Sequence, residues 1–486
     1  MFRFAVAVLF SPLPPSSLGG VAGHRSPRSN PYSHVANTPL LHAHHEQVSL
    51  KFSQTTMNYD VSMEQLLMPT LQKDEMKTSI KSLRPIPLWR NRDFLLLLSG
   101  QGISAMGTQV SQFAFPLLIL ALTHSPAQTG LMTALRGLPY ALFSLPAGAL
   151  VDRWNRKLVM ILCDTGRAIA LASIPIAFAT GWLTITQLYL VSLIEGTLFV
   201  FFHMAEAATL PHVVSQEQLS TATGQNEVLA SSSVLIGPSI GGILYTISSL
   251  LPFLADAVSY ACSVCSLLFI KAQFQEKRTA APQKLWIEVK EGLAWLWQHE
   301  LIRFTAIVTG GLITSSIGYV LIVVVMAQSQ HASSFTIGLI FASGGAGSVV
   351  GALLASPIQK RFGFARVMIG ATWIWALSWL LFVFAYNPLL LGIANGLGYT
   401  IVPIFMVSQF SYRLVLIPDH LQGRVNSVFR LIAFGSQPVG LALTGILLQA
   451  IGPVPTVLVL FVPQLALAIA VTINRHVRQA HPIKRL

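Results

Sequence analysis

The chain carries a dozen apolar runs, each about 20 residues or longer, separated by short connections. A helix of about 20 apolar residues spans the hydrocarbon of a bilayer, where only helices and closed barrels satisfy every backbone polar group. These runs do not alternate apolar with polar residues, which selects helix over barrel strand. They fall at 94–122, 129–151, 157–180, 183–209, 219–246, 250–271, 303–328, 334–358, 365–386, 388–413, 424–450 and 454–474. Only 10% of the residues are charged, where a soluble domain carries roughly 25%. The expected fold class is an all-α polytopic membrane protein with twelve transmembrane helices in two pseudo-symmetric six-helix bundles.

A net charge of +13 invites a nucleic-acid reading, but the placement of the charge argues against it. The connections 123–128, 181–186, 247–252, 329–333, 387–388 and 451–453 contain no Lys or Arg. The alternate connections hold Arg90, Arg92, Arg153, Arg156, Lys157, Lys360, Arg361, Arg366, Arg413, Arg424 and the tail Arg475, Arg478, Lys484 and Arg485. One-sided basic charge is an orientation signal and places both termini in the cytoplasm of a cell-membrane protein. Anionic membrane lipid is the secondary partner, and nucleic acid is not expected.

The chain divides into an N-terminal extension at 1–88, a bundle at 89–271, a connector at 272–302, a second bundle at 303–474 and a basic tail at 475–486. The extension is rich in Pro, Ser and His and reads as disordered or as an overlong start, with Met57, Met63, Met68 and Met76 as internal candidates. Within the connector, Leu285, Val289, Leu293 and Leu296 recur at helical spacing, which predicts an amphipathic surface helix. The two bundles look duplicated. At a shift of 208, Gly130-Leu131 falls on Gly338-Leu339, Gly137 on Gly345 and Arg153 on Arg361. Asn155 then meets Gly363, two residue types that tolerate a left-handed turn.

Several chemistries lack their residues. Cys262 and Cys265 form a CxxC inside an apolar run without His or acidic company, and read as small core residues. The cluster His42, His44 and His45 has no accompanying Cys or carboxylate, so neither a metal nor another cofactor is expected. There is no GxxxxGK[ST] loop for ATP and no nucleophile or paired-carboxylate cluster, so the chain does not read as a pump or an enzyme.

The charged residues that remain carry the mechanism. Gly148, Asp152, Arg153, Arg156 and Lys157 form a hairpin loop between the second and third runs. Basic residues there set topology, but an acid gains little from that role; Asp152 suits the N-terminus of another helix, with Gly423-Arg424 as receptor. Gly237, Pro238, Gly241 and Gly242 predict a bent, closely packed fifth helix. Arg136, Asp164, Arg167 and Glu195 lie inside apolar runs, where each needs a partner or water. Asp164 and Arg167 are three apart and can neutralise each other, whereas Glu195 has no obvious local counter-ion and is the first choice for proton coupling. Gln101, Ser104, Thr108 and Gln112 make a polar stripe on the first helix. With Tyr319, Asn395 and Tyr399 they are the expected lining of a substrate cavity.

The 148–157 loop resembles the signature between helices two and three of the major facilitator superfamily, with Asn155 where many members have Gly. Gly237-Pro238-Ser239-Ile240-Gly241-Gly242 resembles the fifth-helix motif of its drug:proton antiporters. Ser104-Ala105-Met106-Gly107, Ala114-Phe115-Pro116-Leu117-Leu118, Arg136-Gly137-Leu138-Pro139 and Gly423-Arg424-Val425-Asn426 look like the enterobactin-exporter and macrolide-efflux branch. Many branch members carry Asp after the first-helix glycine; here Thr108 follows Gly107, so a coupling role does not transfer to that position. The resemblance implies a monomeric secondary transporter that exports drug- or macrolide-like amphipathic molecules in exchange for protons by alternating access. A dedicated siderophore or metabolite exporter, and a non-transporting sensor or scaffold, are the competing readings.

Overall fold

The computed structural model describes residues 87–151, 153–272, 274, 285–418 and 421–480. All but residues 87–89 belong to one compact unit, Arg90–Leu486. Asp152, the histidine cluster and residues 481–486 lie outside the described residues.

Six helices form the first half: α1 (Arg92–Thr123), α2 (Pro126–Val151), α3 (Arg156–Ala179), α4 (Ile185–Val213), α5 (Leu219–Ile247) and α6 (Leu251–Phe269). The connector helix α7 (Leu285–Gln298) follows. The second half comprises α8 (Glu300–Ser316), α9 (Tyr319–Ser329), α10 (Ser334–Val383), α11 (Pro388–Leu416), α12 (Gln422–Phe434), α13 (Gln437–Ile451) and α14 (Pro453–Ile473). Side chains that accept a backbone N–H fix several starts: Asn91 for α1, Asn155 for α3, Thr184 for α4, Ser333 for α10 and Asn387 for α11.

Among the described residues, ten helical stretches are long and apolar enough to cross a bilayer. One of them, the 50-residue α10, is two crossings. Gly344 lies against Asn395 and Gly351 against Thr400, so its first part runs parallel to α11. Phe364 stacks on Tyr412 and Trp375 meets Phe405, so its second part runs antiparallel to the same helix. The chain reverses at Gly363, whose φ of 72° and ψ of 169° suit glycine alone. With α2, this arrangement is compatible with the expected dozen crossings.

The turn at Gly363 replaces the basic loop expected between the eighth and ninth runs. Its partner in the duplication behaves differently. Asn155 has φ −67°, an ordinary extended conformation, and serves as a cap whose Oδ1 accepts from the Leu158 N–H. The shared tolerance for a left-handed turn therefore does not operate at Asn155.

Two further runs are interrupted, at Gly318 between α8 and α9 and at Gly435 between α12 and α13. The breaks face each other: the Thr314 and Ser436 hydroxyls meet at 2.5 Å, and a Cβ on Gly440 would stand 2.2 Å from the Thr314 carbonyl. Large apolar side chains point outward along the helices, with Leu353 72% and Ile169 67% exposed, as a lipid-facing surface requires.

Candidate functional site: a buried ion cluster on the wall of an interhalf cavity

Close helix packing brings the intramembrane charges of the first half together. Gly196 lets α4 press against α2, since a Cβ there would come 2.1 Å from the Arg136 carbonyl. The next residue back, Glu195, consequently reaches Arg136, and the two form an ion pair through Oε2 and Nε. The other oxygen, Oε1, accepts from Arg167 Nη2 at 2.9 Å and from the Tyr260 hydroxyl at 3.3 Å. Glu195, expected without a local counter-ion, thus holds two arginines. Those partners come from α2 and α3, elements that sequence distance along α4 could not reveal.

Arg167 is the hub of the cluster. Its guanidinium lies 4.0 Å from the centre of the Tyr260 ring and contacts Asp164 at 3.5 Å, a longer approach than the one to Glu195. The Asp164–Arg167 pairing expected from their spacing exists, but it is not self-contained. Asp164, Arg167 and Glu195 are all buried, and Arg136 is nearly so.

A fifth ionisable group was not anticipated. Asp256, fully buried on α6, accepts from Ser111 Oγ at 2.5 Å and from Ser259 Oγ at 3.1 Å. It lies beside Gly107. A lone acid in a run that is otherwise apolar was the only signal in the sequence. Thr108 itself bonds the Tyr260 hydroxyl at 2.8 Å and its own helix at the Ser104 carbonyl. It therefore joins the polar cluster. Gln101 is buried lower on α1.

Three adjoining cavities run between and into the halves. The largest, about 490 Å³, is lined by Gln112, Arg136, Tyr140 and Glu195 from one half and by Ile317, Arg430 and Gln437 from the other. A second, about 200 Å³, contains Tyr319, Asn395, Tyr399 and Trp379 within the second half. A third, about 170 Å³, connects Gln112 and Pro238 with Tyr319 and Tyr399. Four of the expected cavity residues, Gln112, Tyr319, Asn395 and Tyr399, are therefore brought to this belt. Asn395 also has a packing role, donating to the Ile340 carbonyl at 2.7 Å.

The halves meet at the end whose connections lack basic residues. Gly130 faces Gly445, Gly242 faces Gly338, and Ser125 Oγ donates to Gln449 at 2.8 Å. Gly237 and Gly241 press α5 onto α1 at Gln109 and Phe113, so the expected close packing of this helix joins three elements. At the basic end, Gly148 and Gly423 face open space. There Arg156 Nη1 donates to the Ala208 carbonyl at 2.9 Å and Lys157 Nζ to the Ile270 carbonyl at 2.6 Å. Both cations thereby cap the negative ends of α4 and α6. Arg153 is exposed. Arg424, the expected receptor of Asp152, pairs with Glu291 of α7, and Gly292 packs against its backbone.

Two helical halves around a central cavity with buried charges have the architecture of a membrane transporter. The chain belongs to the transmembrane secretion effector family of the major facilitator superfamily, whose model matches residues 84–484. It is 23% identical to the multidrug efflux pump Tap of Mycolicibacterium fortuitum over 79% of this chain and 96% of that one. It is 27% identical to macrolide efflux protein A of Streptococcus pyogenes, over 43% of this chain and 52% of that one. Among solved structures, the nucleoside transporter NupG covers 81% of this chain and 100% of its own, at 14% identity and a TM-score of 0.65. A bacterial homologue of the iron transporter ferroportin in an inward-facing state gives 0.63 at 15% identity, covering 80% of this chain and 99% of its own.

Proposed function

We propose that the protein exports amphipathic small molecules across the cell membrane in exchange for protons, by rocking two halves around one central site. The observation that carries this reading is the cavity of about 490 Å³ between the halves with the Arg136–Glu195 pair in its wall. A substrate in that cavity and a proton on the adjoining cluster act on the same helices, α2 and α4. Coupling needs such shared elements.

The halves touch at the charge-free end and face open space at the basic end, which the one-sided charge assigns to the cytoplasm. This corresponds to a cytoplasm-open state with both termini inside. The ferroportin homologue supports it, with a TM-score of 0.63 for the inward-facing form and 0.53 for the outward-facing form. Both sequence relatives are efflux proteins, which supports export. Asp152 fits a latch that engages Arg424 in the opposite state, when Arg424 leaves Glu291.

Two carboxylates are the candidates for carrying the proton. Glu195 carries two arginines, so its protonation would release Arg136 and Arg167 together. Asp256 is held by two neutral hydroxyls. Protonation there disrupts no ion pair, which makes Asp256 the simpler carrier and Glu195 the group that transmits the change to the cavity.

The test is transport in proteoliposomes under an imposed pH gradient, assayed with dyes and macrolides. Export that collapses with a proton ionophore supports the reading. Export that persists without any ion gradient, or no translocation at all, overturns it.

A further inference from the structure

The balance of charge around the central cavity identifies the class of molecule it receives. We propose that the site holds amphipathic organic anions, with Arg430 receiving the negative group and Arg413 reinforcing it from behind. This rests on the efflux reading and names its substrate class.

The acid on the first-half wall is already committed. Both oxygens of Glu195 are taken, by Arg136 on one side and by Arg167 and Tyr260 on the other. A cationic substrate would have to compete with two guanidiniums held in place by buried helices. Glu206, three residues beyond the cavity-lining His203, faces that imidazole at 3.5 Å.

The opposite wall has the reverse problem. Arg430 lines the cavity from α12, is exposed to it, and has no acid or hydrogen-bond partner among the described residues. Behind it, Arg413 of α11 is only 9% exposed, and its guanidinium lies 3.6 Å from the centre of the Phe429 ring. Its Nε and Nη1 are buried with no hydrogen-bond partner among the described residues. Arg430 is the residue next to Phe429, the ring that Arg413 covers, which brings the two cations into each other's field. Two neighbouring guanidiniums, one buried, without a counter-ion are costly in a membrane protein. A carboxylate, sulfonate or phosphate entering the cavity would relieve that repulsion, and a planar anionic group matches the guanidinium fork.

The remaining lining sets the body of the ligand. Phe115, Met132, Phe199, Phe434 and Leu441 surround the same space, which is within the size range of drug-like sites. A molecule with an apolar body and one anionic end fits both features. An anionic lipid headgroup shares this chemistry, and competition separates the two sources.

The experiment measures binding to the full-length purified protein in neutral detergent, by fluorescence anisotropy. The probes are carboxyfluorescein, an anion, and rhodamine 6G, a cation of similar ring size. The anion is expected to bind, to weaken about tenfold in Arg430→Gln, and to be largely retained in Arg430→Lys. Binding of the cation is expected to be weaker and indifferent to Arg430→Gln. Tighter binding of the cation, or an anion affinity unchanged in Arg430→Gln, would overturn the proposal. Displacement of the dye by phosphatidylglycerol but by no soluble aromatic carboxylate would assign the arginines to lipid and overturn it as well. Arginine-dependent binding without export from vesicles would sustain the anion site and sink the efflux reading. Export of rhodamine alone would do the opposite.

Discussion

Gly107 of α1 and Asp256 of α6 meet where neither could accept a larger neighbour. A Cβ on Gly107 would stand 2.6 Å from Asp256 Oδ1 and 2.1 Å from Ser259 Oγ. The absence of a side chain on one helix thus makes room for a buried carboxylate from another. Ser111, one turn further along α1, then donates to the second oxygen.

Gly107→Ala is therefore expected to overpack this contact and lower stability by about 1–3 kcal/mol. Gly224→Ala is the control, because nothing lies within 4 Å of its Cβ position on α5. It should leave stability unchanged or raise it by up to about 1 kcal/mol. Thermal unfolding in detergent compares the two. Equal behaviour would show that the Gly107 contact is slack.

Glu195→Gln removes the only acid among the described residues that bonds Arg136 and leaves Arg167 with its longer contact to Asp164. Breaking a buried ion pair from one side costs about 3–5 kcal/mol, since the orphaned charge stays buried. Combining Glu195→Gln with Arg136→Gln should cost clearly less than the two single changes added together. A double-mutant cycle on melting temperatures checks this. Strict additivity would mean that the two side chains do not share the interaction drawn between them. In transport assays, Glu195→Gln is expected to lose its response to the pH gradient while still binding substrate.

The crossings were legible in the sequence because lipid imposes a length and a composition that no soluble segment needs. The partners inside the bundle were not. Glu195 looked isolated because Arg136 and Arg167 lie on other helices, and which helices adjoin depends on small residues such as Gly196 whose role appears only on contact. Asp256 has no charged residue near it in its own run, and the hydroxyls that hold it come partly from α1, so its role is visible only once the helices are packed. Arg413 read as an orientation charge at the end of a run, yet it is buried on an aromatic ring beside a second arginine. Periodicity identifies a face; it does not say which side chain from another element occupies the space opposite.

The duplicated positions Asn155 and Gly363 should fail by different mechanisms. Gly363→Ala forces a side chain onto φ 72° and ψ 169°, a region reserved for glycine, at a cost of about 1–3 kcal/mol. Gly363→Asn should be no better. Asn155→Ala loses the cap on Leu158, about 1 kcal/mol, and Asn155→Asp should recover it. Unfolding midpoints of the four variants separate the cases. Rescue of position 363 by Asn would restore the common turn conformation suggested by the sequence alignment of the halves.

The contact between Gly242 and Gly338 gives the most direct handle on the proposed rocking motion. A Cβ at Gly242 would lie 2.6 Å from the Ser334 carbonyl and 3.3 Å from the Gly338 Cα, so backbone on the other half fills the space. Leucine there cannot be absorbed by a rotamer change, and it should hold the halves apart at the charge-free end. The state with that end closed then loses stability relative to one with it open. Transport is expected to fall about tenfold or more, because the cycle needs both states. A cysteine placed at Ser348, which lines the cavity of about 170 Å³, reports the change in a background whose three native cysteines are replaced. In intact cells, a membrane-impermeant thiol reagent should label Ser348→Cys readily with Gly242→Leu present and poorly without it. Unchanged labelling together with unchanged transport would show that α5 and α10 do not form the seal, and the alternating-access reading would lose its gate.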